Sequence, residues 1–114
     1  MFGRYQEIYK IMQYDGLSRD YRLKDQINGS SGSIMDNIAE VFDRDGNREF
    51  IQFLSIAKGS AGESHSQLFR ILDRGYITNE EFNKLSETAK EIINKIGALM
   101  SYLKKSNYKG QKYK

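Results

Sequence analysis

Apolar side chains recur at three- and four-residue intervals along most of this 114-residue chain. This spacing places them on one face of an α-helix. The pattern predicts a first helix over residues 2–14, a second over about 19–44, a third over about 47–73 and a fourth that begins after Thr78. The expected fold class is all-α, an up-down four-helix bundle with a short first helix, three long helices and a basic C-terminal tail.

Local signals indicate where these helices begin and end. Gly16 is predicted to end the first helix in a left-handed conformation, and Ser18 is predicted to cap the second. Gly75 is predicted to end the third helix. Thr78 and Glu81 form a capping box, in which each side chain accepts a hydrogen bond from a backbone amide at the start of the last helix.

The second and third helices are expected to fold back on each other about the turn at Asp45-Gly46. Symmetric pairing about that turn places Gly32 opposite Gly59, within two patches of glycine and serine. Each glycine costs about 1 kcal/mol in a helix interior, and close approach of the two backbones would offset that cost through dispersion contacts. A flexible linker at 29–33 is the alternative, but the apolar spacing continues through it. We therefore predict a close-contact seam of small residues.

Charge divides the chain into two parts. The net charge is +3, yet residues 104–114 carry five lysines and no acidic residue, which leaves 13 basic and 15 acidic side chains elsewhere. We predict a bundle over residues 1–105 and a flexible lysine-rich tail over residues 106–114. The chain has no cysteine, which fits a reducing cytoplasm, and no apolar run near the roughly 18 residues of a membrane span. The expected location is cytoplasmic.

Candidate chemical motifs are incomplete. Residues 43–47 supply three oxygen ligands of a calcium loop, but Arg48 and Leu54 occupy the positions that need glycine and glutamate. His65 is the only histidine and is more typical of a polar helix face than of a ligand or base. Residues 59–61 lie within a predicted helix, without the strand-to-helix turn that exposes a nucleophilic serine. We expect no enzyme activity, no cofactor and no metal site.

Basic side chains provide two candidate contacts with nucleic acid. The tail combines lysines with tyrosines, a composition suited to phosphate attraction and base stacking, although a solvated tail without that role is the alternative. The hairpin pairing puts one pair of arginines near each of its ends, so that only oligomerisation would gather all four. The candidate residues are Lys104, Lys105, Lys109, Lys112, Lys114, Arg44, Arg48, Arg70 and Arg74.

The short first helix suggests self-association. About 13 residues span about 20 Å, whereas the three longer helices span about 40 Å. Half of the groove beside the first helix would therefore stay uncovered. Because a monomer rarely exposes an apolar groove of this kind, we expect a homo-oligomer.

Three stretches of the chain carry a family pattern: Ile34-x-x-Asn37-Ile38-Ala39-Glu40, then Glu49-Phe50-Ile-x-Phe53-Leu54-x-Ile56-Ala57-x-Gly59-Ser60-x-x-Glu63, then Gln67-Leu68 with Gly75-Tyr76. Through them the chain resembles the bacterial four-helix-bundle family of ribosomal-RNA intervening-sequence proteins. The accessory protein of diversity-generating retroelements is a relative of that family. The family usually has proline where Met35 stands and glycine where Val41 stands.

The resemblance implies a homopentameric ring of four-helix subunits, without known catalysis and with a proposed nucleic-acid role. It implies structural or interfacial roles for Asn37, Glu40, Gly59, Ser60 and Glu63. The predicted packing of small residues adds Gly32 and Gly62 to this set. Expected partners are further copies of the chain, RNA or DNA, and a protein such as a reverse transcriptase. Our hypothesis is weak nucleic-acid binding, and the alternative is a protein-interaction scaffold.

Overall fold

The computed structural model describes the backbone of residues 5–43 and 47–112 and the side chains of residues 6–41 and 49–105. All regular structure within these ranges is helical: α1 (Tyr5–Met12), α2 (Asp15–Arg19), α3 (Tyr21–Asp43), α4 (Asn47–Asp73) and α5 (Asn79–Lys112). The predicted all-α class is confirmed, with three long packed helices. The four-helix up-down arrangement stays a prediction, because the described residues before α3 form two short helices.

The central helix of the protein is α4, which packs along both α3 and α5. The short helices α1 and α2 pack against α3, at the end of the molecule where α4 stops and α5 starts. The molecule is elongated, measuring 57 × 22 × 20 Å. None of the helices in the described part of the chain combines the length and apolar character needed to cross a bilayer.

The apolar side chains form two separate cores. The first lies at the α1 end and joins all five helices through Ile8, Ile11, Met12, Leu17, Leu23, Ile27, Leu68, Ile71, Ile77 and Leu85. The second is built, among the described residues, from the three long helices, through Ile34, Ile38, Val41, Leu54, Ala57, Ala61 and Ile96. Burial of a large aliphatic side chain contributes about 1.5–3 kcal/mol, so these two cores hold the helices together.

A hydrogen-bonded layer of serines lies between the two cores. The buried Ser30 hydroxyl donates to Gln67 Oε1 at 2.6 Å, and its oxygen lies 2.7 Å from the Ser64 hydroxyl. The Ser60 hydroxyl donates to Ser33 Oγ at 2.9 Å. Since buried hydroxyl groups need partners, these serines pair across the α3–α4 contact and satisfy one another.

The predicted glycine seam is therefore wrong in its mechanism. A Cβ atom added to Gly32, Gly59 or Gly62 would meet no heavy atom within 4 Å, so these glycines do not mark a close approach of the two backbones. Serine side chains occupy the contact instead, and the glycines lie beside it. The flexible linker considered for residues 29–33 is also excluded, because α3 continues through them.

The α3–α4 pairing is shifted from the symmetric expectation. Symmetry about Asp45-Gly46 pairs Ser33 with Lys58, but Ser33 bonds Ser60. Helical side chains lean toward the helix N-terminus, so a spot on the surface is covered by the residue about one position further along the chain. In two antiparallel helices this effect adds up to about two residues, which accounts for the Ser33–Ser60 pair.

The predictions that Gly16 ends the first helix and that Ser18 caps α3 are both wrong. Gly16 lies inside α2, and a Cβ atom there would come within 2.5 Å of the Tyr76 ring, so glycine is needed for space. The only positive φ in the described backbone belongs to Gly75. Ser18 does not cap α3, because its hydroxyl bonds the Asp15 carbonyl; Asp20 caps α3 by accepting the Leu23 amide at 3.3 Å.

The predicted end of α4 is confirmed. Gly75 has a φ of 75°, and its amide bonds the Leu72 carbonyl at 2.9 Å. The next amide, of Tyr76, bonds the Ile71 carbonyl at 3.1 Å. These two bonds form a Schellman motif, which satisfies carbonyls at the end of the helix.

The predicted start of α5 is confirmed as well. Thr78 Oγ1 accepts the Glu81 amide at 3.1 Å, and Glu81 Oε1 accepts the Thr78 amide at 2.9 Å. The second oxygen of Glu81 accepts the Tyr14 hydroxyl. The Thr78 amide, followed by the Tyr14 hydroxyl, holds the pKa of Glu81 below its ordinary value. The helix then runs to Lys112, so the flexible tail predicted from residue 106 has a helical backbone to that point, while its side chains lie outside the described residues.

Candidate nucleic-acid interface

A polar cleft of about 280 Å³ lies where the start of α3 meets the end of α4. It is lined by Asp20, Arg22, Leu23, Gln26, Arg70 and Arg74. Leu23 is the only apolar residue among them. Three guanidinium groups and one carboxylate leave an excess of positive charge in the cleft.

Asp20 organises one wall of this cleft. While Oδ1 caps α3, Oδ2 accepts the Tyr76 hydroxyl at 3.0 Å and the Arg74 guanidinium. Burial alone would raise the pKa of Asp20, but the hydrogen bonds from the Leu23 amide, Tyr76 and Arg74 together outweigh it and lower that pKa. The hydrogen bond and charge of Asp20 raise the pKa of Arg74. Arg74 is therefore fixed in place by a carboxylate that stays ionised.

Unlike Arg74, the other two arginines of the cleft, Arg22 and Arg70, are not held by a carboxylate among the described residues. Arg70 donates from Nη1 to Gln26 Oε1 at 3.1 Å, a neutral partner. Arg22 is exposed, and the described part of the chain provides no acidic partner for it. These two side chains supply the uncompensated charge of the cleft.

Arg22 was absent from the sequence-based candidates. It follows Asp20 in the first turn of α3, far in sequence from Arg70 and Arg74. The position of Arg22 beside the end of α4 does follow from the hairpin pairing, which places residues 20–22 opposite the last turns of α4. Applying that pairing to the start of α3 as well as to the small residues would have found it.

The remaining basic candidates lie elsewhere. Lys104 and Lys105 are exposed near the far end of α5. They come about 25 residues after the first residue of α5, which corresponds to about 38 Å along the helix axis. The side chains of Arg48, Lys109 and Lys112, and the whole of Arg44 and Lys114, fall outside the described residues. The structure thus joins Arg70 and Arg74 within one subunit but does not bring them to Lys104 or Lys105, the two tail lysines whose side chains it describes.

His65 connects α4 to α5 rather than lying on a free polar face. Its Nε2 is 2.7 Å from the Ser86 hydroxyl, and its ring packs against Phe69 with centroids 5.2 Å apart. Burial, followed by repulsion from Lys90, lowers the pKa of His65. The neutral ring is favoured in the folded protein. No group of three or more histidine, aspartate or glutamate side chains suitable for a metal ion occurs among the described residues.

Comparison with known proteins identifies the family. The family model described as 23S rRNA-intervening sequence protein matches residues 2–98. The chain belongs to this family. The family resemblance noted in the sequence is thereby confirmed.

A solved structure supports the same conclusion. A protein of unknown function from the S23 ribosomal protein family of Bacteroides thetaiotaomicron is similar in fold, with a TM-score of 0.72 and 25% sequence identity. The match covers 85% of this chain and 94% of that one. No curated protein matches the chain at a significant level.

The residues that carry the intervening-sequence family pattern divide into two kinds. Asn37 donates to the Ser33 carbonyl at 2.8 Å and to Ser33 Oγ at 3.1 Å, so Asn37 and Ser60 meet at one serine and link α3 to α4. Gly59 and Glu63 are exposed on α4, and Glu40 is half-buried on α3. Asn37 and Ser60 therefore have a structural role within the subunit.

Proposed function

We propose that this member of the 23S rRNA-intervening sequence protein family is a non-enzymatic, homo-oligomeric helical protein of the cytoplasm that binds RNA or DNA weakly through phosphate contacts. The observation that carries the proposal is the arginine-lined cleft, with its excess of positive charge. The exposed Lys104 and Lys105 add a second basic surface. No set of acid, base and nucleophile in the sequence offers a competing catalytic role.

Phosphate contacts of this kind act through counterion release. Each contact with a phosphate frees counterions from the nucleic acid, so binding weakens steeply with salt and depends little on base sequence. Arginine suits this role because its planar guanidinium donates two parallel hydrogen bonds to a phosphate. Contacts limited to phosphates support weak, sequence-independent binding.

The proposed homo-oligomer is supported by the second core. Among the residues whose side chains are described, α1 and α2 contribute nothing to that core, and several of its large side chains are only partly buried: Phe50, Phe53, Ile92, Ile93, Met100 and Leu103. Further copies of the chain would cover this open side, complete a four-helix environment around it and, in the arrangement implied by the family, form a pentamer. Light scattering at micromolar concentration tests this: a pentamer has about five times the 13.2 kDa mass of the chain, and a 13.2 kDa particle contradicts the proposal.

A scaffold that binds a protein, such as a reverse transcriptase, is the second candidate. The exposed aromatic side chains favour it, since Tyr21 is 73% exposed, Tyr102 is 66% exposed and Phe69 is 53% exposed. Aromatic residues are enriched where proteins meet. Under this alternative the oligomer presents these side chains and has no affinity for nucleic acid.

The affinity of the chain for a labelled 20-nucleotide RNA separates the two candidates. Fluorescence anisotropy would compare the full chain, a chain ending at Leu103, and a full-length variant with the five tail lysines changed to glutamine. The two altered proteins should bind more weakly and with a shallower salt dependence, by about 0.7 in slope for each lost phosphate contact. Equal and salt-insensitive binding by all three proteins contradicts the electrostatic proposal, and absence of binding favours the scaffold.

A further inference from the structure

We propose that the cleft between the start of α3 and the end of α4 is a phosphate-binding site for a nucleic-acid backbone, in which Arg22 and Arg70 contact the phosphate oxygens. This inference rests on the proposed nucleic-acid function and adds the site within one subunit. The sequence-based candidates had divided the arginines between the two ends of the hairpin and had not included Arg22.

The size and lining of the cleft suit a small anion. Its volume of about 280 Å³ lies just below the range of about 300–1,000 Å³ typical of pockets for drug-sized molecules. Five of its six lining residues are polar or charged. A phosphodiester group is small, anionic and rich in acceptors, whereas an apolar ligand would find only Leu23 to pack against.

The three arginines have different roles in this site. Arg74 is bound to Asp20, which also caps α3 and accepts the Tyr76 hydroxyl, so this group forms a fixed wall. Arg70 bonds only the neutral Gln26 Oε1, at 3.1 Å. A phosphate oxygen is a stronger acceptor for a guanidinium than an amide oxygen is, because the donor and the acceptor are then both charged. Arg70 can therefore transfer to a bound phosphate, and the Gln26 side-chain NH2 group, which the bond to Arg70 does not use, is a further donor.

Asp20 does not cancel the attraction. Its carboxylate already accepts the Leu23 amide, the Tyr76 hydroxyl and Arg74, so its charge is compensated locally. Arg22 and Arg70, which are both exposed, carry the remaining positive charge of the cleft. One phosphate held by these two residues needs no second subunit, so each chain should bind at this cleft independently of assembly.

The test uses the full-length Arg22→Gln/Arg70→Gln double variant. Arg19→Gln is the control for loss of positive charge outside the cleft: it removes one of the two charges that the double variant lacks, from a neighbouring arginine whose side chain is 77% exposed and pairs with Asp15. Arg74 is left unchanged, since its loss would disturb the Asp20 cap. Arg70→Lys keeps the charge but removes the planar fork. Circular dichroism confirms that each variant is folded before binding is measured.

For a 20-nucleotide RNA and a DNA of the same sequence, the double variant should bind about tenfold more weakly than the wild-type protein, as expected for the loss of about 1.4 kcal/mol. Its salt slope should fall by about 0.7, corresponding to one lost phosphate contact on a single strand. Arg70→Lys should bind more weakly than wild type, and Arg19→Gln should be close to it. NMR signals of the Gln26 side-chain amide should shift on addition of RNA and, at higher concentration, of inorganic phosphate.

Each contrary result has a distinct meaning. If the wild-type protein binds RNA and the double variant has the same affinity as Arg19→Gln, the cleft is not the binding site, but the proposed function stands. Failure of the wild-type protein to bind either nucleic acid overturns both. A shift of the Gln26 amide with inorganic phosphate but not with RNA or DNA overturns the assignment to a nucleic-acid backbone. Arg70→Lys binding as tightly as wild type overturns the role of the guanidinium fork.

Discussion

The serine layer between the two cores can be tested by the substitution Ser30→Ala. Ser30 is 6% exposed, and its hydroxyl meets Gln67 Oε1 at 2.6 Å and the Ser64 hydroxyl at 2.7 Å. Loss of each bond costs about 0.5–1.5 kcal/mol net, whereas alanine gains about 0.5 kcal/mol in helix propensity over serine. The balance predicts a loss of about 1–2 kcal/mol in the free energy of unfolding, and a melting temperature lower by about 4–8 °C.

Urea unfolding followed by circular dichroism, at one fixed protein concentration, measures this loss. Ser66→Ala is the matched control, because Ser66 is an exposed serine in α4 and its replacement should be neutral or slightly stabilising. A double-mutant cycle that combines Ser30→Ala with Ser64→Ala should show that their losses of unfolding free energy are less than additive, since both substitutions remove the same Ser30–Ser64 bond. A Ser30→Ala protein as stable as Ser66→Ala would refute the hydrogen-bonded layer.

Three further predictions follow from single residues. Gly59→Ala should stabilise the protein by about 1 kcal/mol, because a Cβ atom there meets no heavy atom within 4 Å; a lower melting temperature would show that this position is packed. Thr78→Ala should cost about 1 kcal/mol through loss of the α5 cap, measured by thermal unfolding, and Thr78→Ser should recover most of it. The lowered pKa of His65 means that the unfolded chain takes up a proton first as the pH falls below about 6.5, so stability decreases from that pH downward. His65→Gln should remove this part of the pH dependence in urea midpoints measured from pH 7.5 to 5, and an unchanged profile would contradict the assignment.

The features predicted correctly from the sequence are those that depend on neighbouring residues. The capping box of Thr78 and Glu81 joins residues three apart, and the Gly75 motif closes within one turn of helix. Their chemistry is complete in the local sequence, so no knowledge of the tertiary structure is needed. The periodic apolar positions likewise predicted the three long helices to within a few residues, apart from the C-terminal extent of α5.

The features that were missed depend on distant contacts. Ser18 and Asp20 are both good capping residues, and the choice between them involves Arg74 and Tyr76, which lie 54 and 56 residues away from Asp20. The serine patches were located correctly, but their side chains rather than the glycines face the other helix. That choice follows from the rotation of α3 and α4 about their axes, which a symmetric pairing of residue numbers does not specify. Arg22 was missed for the same reason.

The central claim, that this protein binds nucleic acid through phosphate contacts, is tested most directly by the salt dependence of RNA binding by the wild-type chain. The association constant would be measured by anisotropy between 50 and 300 mM NaCl with one labelled single strand. Phosphate binding predicts a straight line of log K against log salt, with a slope of about −0.7 for each phosphate contacted, and therefore near −0.7 or steeper if Arg22 and Arg70 hold one phosphate. A flat line, or no binding at the lowest salt, would contradict the account.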